Sequence, residues 1–207
     1  MRYATIKERL RRAYDAQAAN RALMDDQLWK QSERERFAVS LRAAGLIRIL
    51  EVGAGHGVSG RYFASEGFDV TCTDLSPEMV EECRRAGLKA EVMDFSDLAF
   101  PSGSFDAVFG MNCLLHVPRA ELAVVLRSIR RVLRPRGLFY WGQHSLGESF
   151  EGIYDEDSYE PKRFFAFLTD DEVVAAAGEE FQIIDFRRIE LGDDGRGYQA
   201  VTLQTGE

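Results

Sequence analysis

Cysteine is scarce in this chain of 207 residues: three in all, Cys72, Cys83 and Cys113, with no Cys-x-x-Cys pair. An odd, unpaired set argues against a disulfide framework and points to reduced core thiols in a cytoplasmic protein. Positive charge is also short, with 26 Lys and Arg against 34 Asp and Glu, a net charge of −8 and a pI near 5.1. An acidic surface does not neutralise phosphates, which excludes general nucleic-acid binding but leaves room for a small anionic substrate held by a local arginine. No apolar run reaches transmembrane length, and Met1–Glu8 has no secretory core, so no membrane association is expected. Internal repeats and low-complexity segments are absent. What remains, 45% hydrophobic residues, suits one globular domain able to bury a two-sided sheet.

The most informative stretch runs from Ile47 to Gly57: an apolar, β-branched run ending in glycines at positions 53, 55 and 57. It reads as a buried strand entering a tight turn, with a helix behind it. Before it, residues 5–20 and 25–44 carry charge at helical spacing, with Asp25-Asp26 at the second helix start and Gly45 as its C-cap. After it, strands and helices alternate. Strands are expected at 47–52, 68–74, 88–94, 105–111 and 138–142, and helices at 58–65, from Ser76-Pro77 to about Gly87, and 121–133. Residues 145–168 break the pattern with acids and aromatics. A helix from Thr169 to Gly178 and strands at 181–189 and 197–203, joined by Gly192-Asp193-Asp194-Gly195, close the chain. The expected fold is α/β: a Rossmann-like, seven-stranded, mostly parallel sheet with helices on both faces, an antiparallel last strand and an N-terminal helical cap. One domain is expected over residues 1–207. Its parts are a helical lid (1–45), a cofactor-binding core (46–144), a lid insertion (145–168) and a C-terminal helix with antiparallel strands (169–207).

Ligands of open α/β sheets lie over the carboxyl ends of the strands. Strand one ends in Glu51-Val52-Gly53-Ala54-Gly55-His56-Gly57. Strand two ends in Asp74, 21 residues after Gly53, a spacing that suits a carboxylate accepting from ribose hydroxyls. Strand three ends in Asp94-Phe95, an acceptor for an adenine amino group beside a ring to pack on it. Strand four ends in Met111-Asn112.

These residues resemble the class I S-adenosylmethionine-dependent methyltransferases, and in particular their small-molecule branch. Glu51-x-Gly53-x-Gly55-x-Gly57 matches the family's first motif, Asp74 its ribose-binding acid and Asp94-Phe95 its adenine position. Phe105-Asp106-Ala107-Val108 with Leu114-Leu115-His116-Val117 is similar to its fourth-strand segment. Leu133-Arg134-Pro135-Arg136-Gly137 is similar to its turn before strand five, with Arg136 inserted. The resemblance implies S-adenosyl-L-methionine as cofactor and S-adenosyl-L-homocysteine as product. It implies cofactor contacts from Glu51, Gly53, Ala54, Gly55, Gly57, Asp74, Leu75, Met79, Asp94, Phe95, Met111 and Asn112. Glu51 would order the methionine amino end, and Leu75 and Met79 would flank the adenosine. A dehydrogenase is the competing reading, because Gly55-His56-Gly57-Val58-Ser59-Gly60 also fits a dinucleotide string. That string falls inside the expected helix, however, and Glu51 and the antiparallel last strand favour the methyltransferase. A non-catalytic S-adenosylmethionine-binding regulatory domain carries the same motifs.

Methyl transfer to a hydroxyl or ammonium acceptor benefits from a general base, whereas a carboxylate needs none. His116, after strand four, and His144, after strand five, are the base candidates; His56 lies inside the glycine turn. Tyr14, Trp29, Tyr159, Arg163, Phe164 and Phe165 are candidates to line the acceptor pocket. No carboxylate set suggests a metal. The expected partner is a small-molecule methyl acceptor, acted on at O, N or carboxylate by a monomer or homodimer.

Overall fold

The computed structural model describes residues 1–23, 26–192 and 196–207. Asp25 of the expected helix start and Asp193–Gly195 of the expected hairpin turn lie outside the described residues. The chain runs α1 (Tyr3–Asp15), α2 (Ala18–Ala22), α3 (Leu28–Ala43), β1 (Arg48–Val52), α4 (Val58–Ser65), β2 (Asp69–Asp74), α5 (Pro77–Arg85), β3 (Lys89–Val92) and β4 (Phe105–Met111). A single 3-10 turn (Leu114–His116) precedes α6 (Arg119–Val132), β5 (Leu133–Ser145), β6 (Phe150–Ile153), β7 (Phe164–Phe167), α7 (Asp170–Gly178), β8 (Gln182–Glu190) and β9 (Gly197–Gln204).

The main sheet has seven strands in the order β3-β2-β1-β4-β5-β9-β8. From β3 to β5 neighbours are parallel. The chain leaves β1 towards β2 and β3, then returns to the far side of β1 with β4. That reversal opens a crevice between the carboxyl ends of β1 and β4, where such sheets hold ligands. Both faces are covered. Leu50, Val108, Phe139 and Val201 face α6 and α7, while Ile49, Phe109, Tyr140 and Tyr198 face α3 and α4. Alternate residues of one strand therefore enter opposite cores, which is why the strands read as continuous apolar runs. Local signals set the elements: Ser76 Oγ accepts from Met79 N at the N-cap of α5, with Pro77 at its first position, and Thr169 with Glu172 forms a capping box on α7.

As expected, the last strand, β9, is antiparallel to its neighbours; it lies between β5 and β8. The sheet departs from the sequence reading in two places. Strand β5 begins at Leu133, not at position 138. Leu133 pairs with Phe105 and Leu138 with Ala107, so the residues between bulge from the ladder, with Arg136 at φ 58°. The insertion carries an antiparallel pair, β6 and β7, that the sequence reading did not anticipate. Phe164 and Ala166 of β7 pack on Ile6 and Leu10 of α1, and Phe165 and Phe167 pack with Leu115. With both faces buried, β7 shows no alternation of apolar and polar residues to mark it as a strand.

Candidate functional site

A cavity of about 310 Å³ lies over the carboxyl ends of β1, β2 and β4. Its floor is the glycine turn. Gly53 and Gly55 take φ of 63° and 56°, in the left-handed region that favours glycine. They serve different ends. A Cβ on Gly53 would collide with Cys113 Cβ, so that glycine lets β1 and β4 close on each other. A Cβ on Gly55 would meet nothing within 4 Å, because Gly55 faces the cavity. Gly57, the N-cap of α4, is not on the cavity wall.

Three acids were expected around this turn. Asp74 is held from below: Oδ2 accepts from Gly55 N at 2.8 Å and Oδ1 from Ser76 N at 2.9 Å, which leaves each oxygen a further lone pair. Burial nonetheless pushes its carboxyl above the ordinary range. Glu51 is 4% exposed and lines the cavity. Burial lifts it to about 7 against hydrogen bonds that include Cys72 Sγ to Oε2 at 3.5 Å. Asp94 is not on the cavity wall; it pairs with Lys7 of α1 and accepts from Ser96 N at 2.9 Å. Leu75, Phe95, Ala54, Met111 and Asn112 do line the cavity. Asn112 takes φ 58°, and its Oδ1 is buried without a partner among the described residues. Met79 is fully buried in α5 and away from the wall.

The N-terminal helices and the segment between α2 and α3 contribute side chains that the sequence reading did not assign to the site. Arg21, Asp26, Lys30 and Arg34 all line the cavity. Arg34 is 2% exposed and paired with Asp26, and its Nε is buried without a partner. The next residue back, Glu33, is equally buried but faces the sheet, where Arg187 grips it at 2.8 and 2.7 Å and Tyr140 donates at 3.1 Å. These charges look like a solvated helix face in the sequence, and nothing local distinguishes them.

Tyr14 and His116 meet at the other end of the cavity, 2.7 Å apart between Oη and Nε2. His116 Nδ1 lies 2.7 Å from the Phe164 carbonyl, which can only accept. Nδ1 therefore carries the proton, Nε2 accepts from Tyr14, and Tyr14 in turn accepts from Arg163 Nη1 at 2.9 Å. Burial and nearby Arg163 push His116 down to about 3. Arg163 is itself held by Asp157, Nη2 to Oδ1 at 2.6 Å, and stacks 3.6 Å from the Tyr159 ring centre. Tyr159 accepts from Arg21 at 2.8 Å.

The remaining candidates lie elsewhere. His144 lines a second, open cavity of about 870 Å³ over the end of β5, with Arg163, Phe165 and Tyr154. It packs against Trp29 and Tyr198, and burial pushes it to about 4. Trp29 packs on the core and Phe164 beneath α1; neither is on the wall of the first cavity. The structure thus joins Tyr14 and His116 to the glycine turn and leaves His144 and Phe165 beyond them.

Residues 49–137 match the profile of a methyltransferase domain. The ubiquinone biosynthesis O-methyltransferase of Xanthomonas oryzae is 39% identical over 100 residues, 45% of this chain and 41% of that protein. The fatty-acid O-methyltransferase of Mycolicibacterium smegmatis is 40% identical over 100 residues, 45% of this chain and 36% of that one. This chain thus spans about two fifths of the length of these curated relatives. A crystal structure of the Burkholderia thailandensis 1,6-didemethyltoxoflavin-N1-methyltransferase, with its substrate and S-adenosylhomocysteine bound, superposes with a TM-score of 0.71. It is 22% identical, and the match covers 99% of this chain and 89% of that one.

Proposed function

We propose that this chain is a class I S-adenosylmethionine-dependent methyltransferase and transfers a methyl group to an oxygen, nitrogen or carboxylate of a small molecule. The observation that carries the reading is the continuous wall of Glu51, Gly55, Asp74, Leu75 and Phe95 across three neighbouring strand ends. Its parts fit the family's cofactor. The open space over Gly55 admits a close approach to backbone, and the free lone pairs of Asp74 suit ribose hydroxyls. Leu75 and Phe95 offer apolar surface to a base. Glu51 suits an ammonium, and Arg34, desolvated with an unpartnered Nε, suits a carboxylate. Asp94, already paired with Lys7, is a weaker fit for the adenine amino group.

When bound, S-adenosylmethionine supplies an electrophilic methyl group on a sulfonium. The chain's part is to place an acceptor atom behind that carbon and to exclude water. Tyr14 is the polar group best placed to touch the acceptor, and His116 is a positioning residue that fixes the direction of the Tyr14 hydroxyl. With both ring nitrogens engaged, His116 is a poor proton acceptor. His144 would act from the second cavity, on the body of the acceptor. The likeness to two O-methyltransferases supports an oxygen acceptor. The acid excess supports a small molecule over a nucleic acid. Among the described residues no group of three His, Cys, Asp or Glu side chains is placed to hold a metal ion, and the reaction is proposed to run without one.

The reading is tested by calorimetry with S-adenosylhomocysteine, followed by transfer of labelled methyl to a metabolite panel in the presence of chelator. Binding with turnover supports it. Binding without turnover on any acceptor class would favour a regulatory S-adenosylmethionine-binding role, and tighter binding of NAD would overturn it.

A further inference from the structure

The cavity wall carries three cations, Arg21, Lys30 and Arg34, beside the acids Asp26, Glu51 and Asp74, and two of the cations form no ion pair among the described residues. Arg34 is paired with Asp26. Lys30, on the same wall, has no hydrogen-bond or ion-pair partner among the described residues; its Nζ sits only over the Trp29 ring, 5.3 Å from the centroid. Arg21 donates to the neutral Tyr159 hydroxyl, and its Nε is buried without a partner. A half-buried cation without an ion-pair partner gains from an anion beside it, and two together on one wall suit an anionic group from outside. Lys30 also stands between the two cavities: it lines the first, and the adjacent Trp29 packs against His144 of the second at 5.8 Å between ring centres.

We propose that the methyl acceptor is a carboxylate, held by Lys30 and Arg21, and that the product is its methyl ester. The inference rests on the methyltransferase reading and narrows its acceptor. The chemistry balances without a base. A carboxylate oxygen lone pair forms the new carbon–oxygen bond as the carbon–sulfur bond breaks. The electron pair of that bond stays on sulfur, and no proton is taken up or released. A hydroxyl or ammonium acceptor would instead release one proton per methyl transferred.

The histidines agree with this balance. His116 has both ring nitrogens engaged. His144 faces the second cavity and is depressed by burial and by Lys30. His56, on the glycine turn, is depressed by burial, Arg21 and Arg61. Burial and the charge of Arg21 also push the Lys30 ammonium below its ordinary value, the direction an incoming anion would reverse.

The experiment uses the full chain saturated with S-adenosylhomocysteine. Acetate, benzoate and octanoate are titrated by calorimetry, each beside its neutral amide. At least one carboxylate is expected to bind tenfold or more tightly than its amide. Lys30→Met should lose that preference and Lys30→Arg should keep it, while S-adenosylhomocysteine affinity is measured separately for each variant. In turnover assays at low buffer, active acceptors should release no proton. The proposal is overturned if no carboxylate outbinds its amide, or if Lys30→Met keeps the preference. It is also overturned if Lys30→Met loses S-adenosylhomocysteine affinity with no carboxylate preference in the parent, or if one proton accompanies each methyl. Failure of the parent chain to bind S-adenosylhomocysteine would fall instead on the methyltransferase reading beneath it.

Discussion

The Tyr14 hydroxyl donates to His116 Nε2 across 2.7 Å of space and 102 residues of chain, and the Phe164 carbonyl fixes the imidazole's other nitrogen as the donor. Three separate segments, α1, the turn after β4 and the insertion strand β7, thereby agree on one proton arrangement. Tyr14→Phe should leave S-adenosylhomocysteine affinity within about threefold and lower kcat by on the order of 10- to 100-fold, the scale of a misoriented acceptor. His116→Ala should add a stability loss of about 1–3 kcal/mol, because it strands the Tyr14 hydroxyl and the Phe164 carbonyl. Chemical denaturation and steady-state kinetics separate the two effects. Unchanged kcat in Tyr14→Phe would remove Tyr14 from the reaction.

If Glu51 meets the cofactor's ammonium as proposed, cofactor binding should carry a proton-linked signature. Burial holds it near 7, half-protonated at neutral pH. A cationic ligand lowers that value, so binding near pH 7 releases a fraction of a proton. Affinity should rise with pH up to about 7 and level off above it. Calorimetry in buffers of different ionisation enthalpy measures the release, and Glu51→Gln should abolish it.

Acid stability should be governed by the histidines. His116 is held near 3, and His56 and His144 near 4, below the ordinary 6.5. The unfolded chain takes up these protons first, so stability falls as pH drops below 6.5 and continues to fall towards 3–4. His116, fully enclosed, contributes roughly 1.4 kcal/mol per pH unit within that window. Glu51 acts in the opposite sense between about 7 and 4.5, because its folded form holds its proton more tightly. Asp74, also raised by burial, acts in the same sense as Glu51 at lower pH, and two carboxyls against three imidazoles leave a net loss. Denaturation midpoints measured from pH 7 to 4 should fall throughout, and a plateau would refute this assignment.

The two glycines of the turn should separate folding from binding. Gly55→Ala costs about 1–2 kcal/mol for its left-handed backbone and places a methyl group in the cavity, so the variant should fold but bind S-adenosylhomocysteine at least tenfold more weakly. Gly53→Ala carries the same backbone cost plus a collision with Cys113 Cβ, worth roughly a further 1–3 kcal/mol. Its thermal midpoint should drop further than that of Gly55→Ala. Equal loss of stability in both variants would contradict the division of roles.

Glu33 should prove structural. Glu33→Ala strands the Tyr140 hydroxyl and leaves the half-buried Arg187 guanidinium with Asp185 alone, a loss of about 1–3 kcal/mol. Thermal denaturation would detect it, and a loss under about 1 kcal/mol would show the pair to be solvated.

The sheet, the glycine turn and the acids Glu51 and Asp74 were legible in the amino-acid order because each is a local signal. Alternating burial makes apolar runs, positive φ calls for glycine, and one helix and one strand separate the turn from Asp74. Asp94 and Met79 show where such signals stop. Both were expected to touch the cofactor, yet Asp94 is taken by Lys7, 87 residues away, and Met79 turns into the core. Arg21, Lys30 and Arg34 were invisible for a related reason. A charge on a helix looks the same in sequence whether it meets water or a cavity, and only the docking of α2 and α3 over the strand ends desolvates these three. The sequence by itself determined the fold and the floor of the site. Tertiary packing decided its roof, the tautomer of His116 and which charges line the cavity, because those depend on which distant groups exclude water together.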